Sequence, residues 1–469
     1  MKPNDTPPPS VEAPPLPHDE PPIEPTPPRR FPLGWVLLVV GVLIMIGGSV
    51  GQQVMIYGDA EEQESGGSET ELSAVRMQAE MTLDMEALLN LPLTGNGQLA
   101  PVLEPLEAQL GEPEAARLYV ALSYQAEEEI PEEALQTLEQ TGLPEDQNFA
   151  QIYSAEELTR EEARDLAPEE PETIEGALAR IHALRKAGEE VELDEYFGGA
   201  DAVKAIVGFM GMFGLIIVGI PLAVIFLGLV VTKKIKFVGY PGPGFSLADA
   251  DRFAFKMSLY IFAFIGLSYL AAGLPLNNQV ATILLMVLTF VAVLLALRVS
   301  VGNVRDSLQE LLGRTRGWGK LVGIGFLFFV GNLPFSMLLI LFFSGIMPDA
   351  PAPTHPITDQ IASGEGLWTI VSLYFLAAVM APLIEEIAFR GLLFPALQGA
   401  LKSAFWGILI SSVVFGVIHP QGPMLWASLA MVGVSAAISA RLTGSLIPAL
   451  AMHAFHNATV LTFALLIMG

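Results

Sequence analysis

Long unbroken apolar runs alternate along this chain with one broad polar stretch. The first run, Phe31 to about Val50, is long enough to cross a hydrocarbon core of about 30 Å as a helix. Residues 52–202 then turn polar. Within them Leu and Ala return every three or four positions, as in Glu114 to Gln125 and Glu132 to Glu139, and Pro and Gly break the pattern into short pieces. That period predicts small amphipathic helices separated by turns. From Val203 onward apolar runs at about 205–232, 253–274, 278–298, 321–346, 367–396, 403–419, 423–440 and 445–468 predict a further series of spans.

The expected fold is therefore all-α: a polytopic helical membrane protein with about nine transmembrane helices and an acidic helical extramembrane domain between the first two. Five regions follow: a disordered Pro-rich tail at 1–30, a transmembrane anchor at 31–51, the acidic domain at 52–202, transmembrane helices and loops at 203–320, and a C-terminal core at 321–469. The tail carries Pro7-Pro8-Pro9 and Pro25-Thr26-Pro27-Pro28 and almost no apolar cluster, a composition that favours disorder or polyproline II. No small-residue cleavage site of the A-x-A type follows the first run, so it is expected to remain as a signal anchor. The rhythm of the acidic region is faintly that of tetratricopeptide repeats, yet no fixed period runs through it. A solvated helical domain is the plainer expectation.

Charge sharpens this division. The chain has a formal net charge of −26, and residues 52–200 alone hold 35 Asp and Glu against 7 Lys and Arg. One segment carries the whole imbalance. Elsewhere the charges nearly cancel, so there is no basic footprint for a phosphate backbone, and nucleic acid is not expected as a partner. The acidic segment would instead attract a cationic partner. Basic residues cluster at Arg29-Arg30, Lys233-Lys234-Lys236, Arg252 with Lys256, Arg298 to Lys320, Lys402 and Arg441. Nine alternating spans put all of them on one side. By the positive-inside rule that side is cytoplasmic, with the N-terminus inside a bacterial plasma membrane. Residues 52–202 and the loop 347–366, with Asp349, Asp359 and Glu365, then lie outside. A composition of 52% hydrophobic residues and a mean hydropathy of +0.50 agree with a chain solvated mainly by the lipid bilayer. The absence of cysteine removes disulfides, thiolate zinc sites and Cys nucleophiles, leaving carboxylates, His and hydroxyls for chemistry.

Those groups occur where lipid should exclude them. The run Ala381-Pro382-Leu383-Ile384-Glu385-Glu386-Ile387-Ala388-Phe389-Arg390-Gly391 sets two Glu and one Arg inside a span, a transfer cost of roughly 8 kcal/mol before pairing. Glu386 and Arg390, four apart, share a helix face and can pair; Glu385 points about 100° away and is left for other work. Phe415-Gly416-Val417-Ile418-His419 ends the next span, and the last carries His453-Ala454-Phe455-His456-Asn457, with His453 and Asn457 on one face. A carboxylate beside a histidine can hold and deprotonate water, and an imidazole with an amide can donate to a carbonyl oxygen as it becomes negative. Taken singly, His419 or Asn457 reads as well as helix-packing glue, Glu386 with Arg390 reads as architecture, and His456 as a packing residue. His18, His182 and His355 lie in the tail, the acidic domain and an outer loop, and no role is expected of them.

Together the three motifs resemble the CAAX-protease and bacteriocin-processing (CPBP) intramembrane proteases, whose pattern is Glu-Glu-x-x-x-Arg, then Phe-x-x-x-His, then His-x-x-x-Asn. Here they stand as Glu385-Glu386-x-x-x-Arg390, Phe415-x-x-x-His419 and His453-x-x-x-Asn457, with Ser445-Leu446-Ile447-Pro448 before the last also similar. The likeness covers about 321–469 and weakens upstream. It implies an intramembrane endopeptidase acting on a membrane-associated protein or peptide. In that reading Glu385 activates water with His419, His453 and Asn457 stabilise the oxyanion, and Glu386, Arg390 and Phe415 support the site. Glu385, His419 and His453 would suit zinc in number and type. The lack of a His-Glu-x-x-His helix, and the Asn that completes the set, favour a mechanism without cofactor. The anchor and the acidic insert depart from the family pattern, so its substrate choice does not carry over.

Two other readings stay open. Buried Glu and His also build proton relays in transporters, although no inverted repeat is visible here. A non-catalytic scaffold or immunity-type protein could use the acidic domain to hold a partner. There is also a geometric tension. With the sixth span ending near residue 396, Glu385 lies about 11 residues from the inner turn and His419 about 16, a mismatch near 7 Å. Tilt or a break at Pro382 or Gly391 has to absorb it.

Overall fold

The computed structural model describes residues 33–62, 68–90, 93–94, 99–240, 247–272, 280, 283–292, 312–313, 316–347, 367–419 and 421–468. The tail at 1–30, the two ends of the span expected at 278–298, most of the basic stretch 298–320 and most of the loop 347–366 lie outside them. The described chain is helical throughout and contains no named strand.

Helix α1 (Leu33–Glu62) begins as the apolar anchor and runs on beyond residue 51 into polar sequence. Seven helices of the acidic segment follow: α2 (Ser68–Leu89), α3 (Ala100–Glu107), α4 (Pro113–Gln125), α5 (Glu132–Gln140), α6 (Pro144–Ser154), α7 (Arg160–Leu166) and α8 (Ile174–Lys186). Pro113 and Pro144 stand at the first helical position, where a missing N–H costs nothing. Thr159 and Glu162 close a reciprocal capping box on α7. The apolar positions of this segment converge on one cluster that includes Leu83, Leu118, Leu122, Leu138, Ile152 and Leu178.

The remaining helices are α9 (Ala200–Val231), α10 (Leu247–Ala272), α11 (Ile283–Ala292), α12 (Trp318–Ile346), α13 (Trp368–Leu401), α14 (Ala404–Val417), α15 (Pro423–Thr443) and α16 (Ile447–Met468). Among the described residues seven helices are long and apolar enough to cross a membrane: α1, α9, α10, α12, α13, α15 and α16. The shorter apolar helices α11 and α14 fall where the other two spans are expected. The protein is an all-α polytopic membrane protein.

Helix α12 packs against α9, α15 and α16; α14 packs against α15; α10 packs against α1 and the C-terminal half of α13. Lipid offers no hydrophobic drive for such contacts, so close backbone approach and polar pairing do more of the work. At Gly416 a Cβ would lie 2.3 Å from the Trp426 carbonyl oxygen, so α14 and α15 meet backbone to backbone. Between α12 and α15, the Ser435 hydroxyl donates to Asn332 Oδ1 at 2.7 Å, and within α12 Asn332 Nδ2 donates to Ser336 Oγ at 2.8 Å.

Helix α13 removes the geometric tension. It runs through Pro395 to Leu401, where Lys402 in the left-handed region (φ 51°) ends it, and Ser403 caps α14. Sixteen residues therefore separate Glu385 from Leu401, and sixteen separate Ser403 from His419. Both side chains stand about 24 Å from the shared turn at 1.5 Å per residue. The helix is not uniform: π-helical segments at Phe375–Met380 and Ile387–Leu393 flank Ala381–Glu386. Such wide turns re-aim side chains inside a helix without breaking it.

Candidate active site

Three helices bring the motif residues together between α13, α14 and α16. On α13, Arg390 Nη1 donates to Glu386 Oε1 at 2.8 Å, and both side chains are sealed from solvent, at 1% and 0% exposure. Burial of two charges is tolerated because they pair. His453 on α16 joins them: its Nδ1 lies 2.8 Å from the same Glu386 oxygen. A carboxylate paired with Arg is an acceptor, so His453 Nδ1 carries the hydrogen.

Glu385, by contrast, is 23% exposed, and His419 19%. Of the two adjacent carboxylates only this one can meet another molecule. The Nε2 atoms of two rings converge on its Oε2, His419 at 3.6 Å and His453 at 3.8 Å. His419 Nδ1 donates to the Phe415 carbonyl one turn back, which fixes its tautomer and leaves Nε2 as the nitrogen facing Glu385. Both rings are thus oriented from behind and aimed at one oxygen.

Phe415 explains the aromatic in its motif. The Arg390 guanidinium sits 4.5 Å from the centre of its ring, and the His419 and His453 rings lie 4.6 and 5.7 Å away. The aromatic ring balances the buried cation and packs against both imidazoles. Asn457 lies one turn beyond His453, and its Nδ2 donates to the Ala377 carbonyl at 2.8 Å. Ala377 belongs to the first π-helical segment, where carbonyls lose their regular i+4 partner, so the amide ties α16 to that irregularity. One amide hydrogen remains for another acceptor. His456 is half-buried on the same helix and outside this convergence.

Three further residues were not singled out from the sequence. Tyr260 on α10 lies within electrostatic reach of Glu385. Trp426 Nε1 donates to the His419 carbonyl at 3.0 Å, and Ser49 Oγ on α1 donates to it at 3.2 Å. Polar residues four apart within the anchor, Ser49 and Gln53, were the available signal for the last.

Glu385, His419 and His453 are the set that a zinc site would need. Among the described residues no group of three His, Cys, Asp or Glu side chains is arranged to hold a metal ion.

The fold and the site define a polytopic helical membrane protein in which a partly exposed glutamate faces two oriented imidazoles within the bundle. Residues 367–459 match the model of a protein family described as Type II CAAX prenyl endopeptidase Rce1-like, a stretch that contains all three motifs. The resemblance to the CPBP intramembrane proteases is borne out there. No curated protein and no solved structure matches the chain.

Proposed function

We propose that this protein is an intramembrane endopeptidase that hydrolyses a peptide bond of a membrane-associated protein or peptide without a metal. The observation that carries the reading is the convergence of His419 and His453 on the one partly exposed carboxylate, Glu385. A water between Glu385 and His419 Nε2 loses a proton to Glu385 as its oxygen attacks the peptide carbonyl carbon. The carbonyl oxygen becomes negative and accepts hydrogen bonds from His453 Nε2 and the remaining amide hydrogen of Asn457. A donor hydrogen at His453 Nε2 makes that ring cationic, and Glu386 lies against its other nitrogen. Collapse breaks the C–N bond, the proton held by Glu385 passes to the leaving nitrogen, and a carboxylic acid, which then ionises, and an amine depart. Glu386, Arg390 and Phe415 keep the rings in place and touch no reacting atom.

The family description names a prenyl endopeptidase of CAAX sequences; the substrate class proposed for this chain is wider because the anchor and acidic domain lie outside the matched stretch. With the basic turns in the cytoplasm, the N-terminus is inside and residues 52–202 are outside. The site's depth, about 24 Å from the Leu401–Ser403 turn, then favours entry from the side of the acidic domain. That domain, with its excess of carboxylates, suits a cationic partner or substrate segment.

The test is cleavage of a proteome-derived peptide library by the purified protein in detergent or lipid, comparing wild type with Glu385→Gln, each with and without a strong zinc chelator. Cleavage that persists with chelator and falls at least about 1,000-fold in Glu385→Gln is expected. Loss on chelation would restore the zinc reading. Cleavage indifferent to Glu385 would sink the enzyme assignment and favour a binding scaffold.

A further inference from the structure

We propose that the first membrane helix, α1, is a working part of the site, with Ser49 and Gln53 as positioning residues for His419; this rests on the reading of Glu385 and His419 above. Helix α1 lies far outside the matched stretch 367–459. Most of its surface is apolar and exposed, with Val39, Leu43, Ile44 and Val50 pointing away from the bundle. Ser49 and Gln53 are the opposite, polar and only 6% exposed each. Four residues apart, they share one face.

That face meets the end of α14. The helix stops at Val417 and is capped at Ile418, so His419 stands just past its end and its carbonyl has no place in the helical ladder. It accepts two hydrogen bonds from other helices, from Trp426 Nε1 on α15 and from Ser49 Oγ on α1. One turn on, Gln53 packs against the turn that follows: a Cβ on Gly422 would lie 3.1 Å from its Oε1. Helix α1 is itself held firmly. Trp35 Nε1 donates to Asp251 Oδ1 at 2.8 Å, and at Gly34 and Gly41 a Cβ would lie 3.0 Å from Phe255 and 2.8 Å from Ile261 on α10.

The backbone of His419 sets where its Nε2 stands relative to Glu385, and a small displacement between catalytic groups costs rate steeply. The Ser49 hydroxyl acts on that backbone and touches no reacting atom. Its loss lowers turnover by altering the Glu385–His419 geometry, with substrate affinity unchanged.

The experiment compares full-length wild type, Ser49→Ala, Ser49→Thr, Gln53→Ala and Glu385→Gln. The readouts are kcat, KM and the pH–rate profile on a cleaved library peptide, and the pH titration of the His419 ring resonance, assigned with His419→Gln, which needs no substrate. Ser49→Ala is expected to lower kcat about three- to tenfold, the worth of one hydrogen bond, with KM unchanged. It should also displace the pH profile and the ring titration, and Ser49→Thr should restore both. Gln53→Ala is expected to act in the same direction. A wild-type pH profile and ring titration in Ser49→Ala would overturn the proposal, as would a defect that Ser49→Thr does not repair. Glu385→Gln keeps the two readings apart: activity in that variant removes the site itself, whereas an inactive Glu385→Gln beside an unaltered Ser49→Ala removes only the role of α1.

Discussion

At the scale of single residues, the division of labour between two adjacent carboxylates follows from burial. Glu386 is sealed with Arg390 and His453, while Glu385 keeps an opening to the outside. The sequence spacing already separated them, since a partner at i+4 claims Glu386 and leaves Glu385 on another face. It could not show that His453 shares the same Glu386 oxygen, because those residues are 67 apart in the chain. Removing the cation alone should be severe. Arg390→Met leaves a buried carboxylate without its counter-charge and is expected to destabilise the protein by about 3–5 kcal/mol. Adding Glu386→Gln, which keeps an acceptor for His453 Nδ1, should return much of that loss. Thermal unfolding of both variants in one detergent decides it; a double variant no more stable than Arg390→Met would mean that the pair is not the unit described.

Among the elements, α13 and α8 show how local pattern and packing divide the outcome. Apolar continuity predicts α13 but puts its end at residue 396, five residues early. The helix continues, and the continuation brings Glu385 level with His419. Its two π-helical segments carry no pattern that sequence periodicity detects; the first meets the Asn457 amide and the second the Phe415 ring. In the acidic segment, α8 buries His182. Its Nε2 donates to Gln125 Oε1 and its Nδ1 accepts from the Tyr153 hydroxyl, each at 2.9 Å. Burial, with Arg185 and Lys186 nearby, pushes its pKa down to about 3. The folded state therefore resists a proton that the unfolded chain accepts below about 6.5, so stability is full above that pH and declines as pH falls toward 3. The slope is at most about 1.4 kcal/mol per pH unit from this group. Hydrogen exchange over Ile174–Lys186, corrected for intrinsic rate, should show protection falling between pH 7 and pH 5 in wild type and not in His182→Gln. Equal protection at both pH values in wild type would remove the explanation.

For the whole molecule, orientation remains a matter of charge distribution. The basic clusters predict that Lys402 faces the cytoplasm and the acidic domain faces outside. A chain without cysteine makes the test direct. A single Cys at the exposed position Glu139 should react with a membrane-impermeant maleimide in intact cells, and one at Lys402 only after permeabilisation. The reverse pattern would invert the topology and the proposed entry side. The spans, the acidic insert and the three motifs were legible in the sequence because each rests on a local rule: apolar length matches bilayer thickness, helical period puts i and i+4 on one face, and an intramembrane charge is too costly to be idle. Tertiary structure decided what those rules do not reach: the Phe415 ring beneath Arg390, the Asn457 amide on Ala377, and the anchor helix against the carbonyl of His419. Ser49 and His419 are 370 residues apart, and a contact across that distance depends on how the helices pack, which no pattern along the chain records.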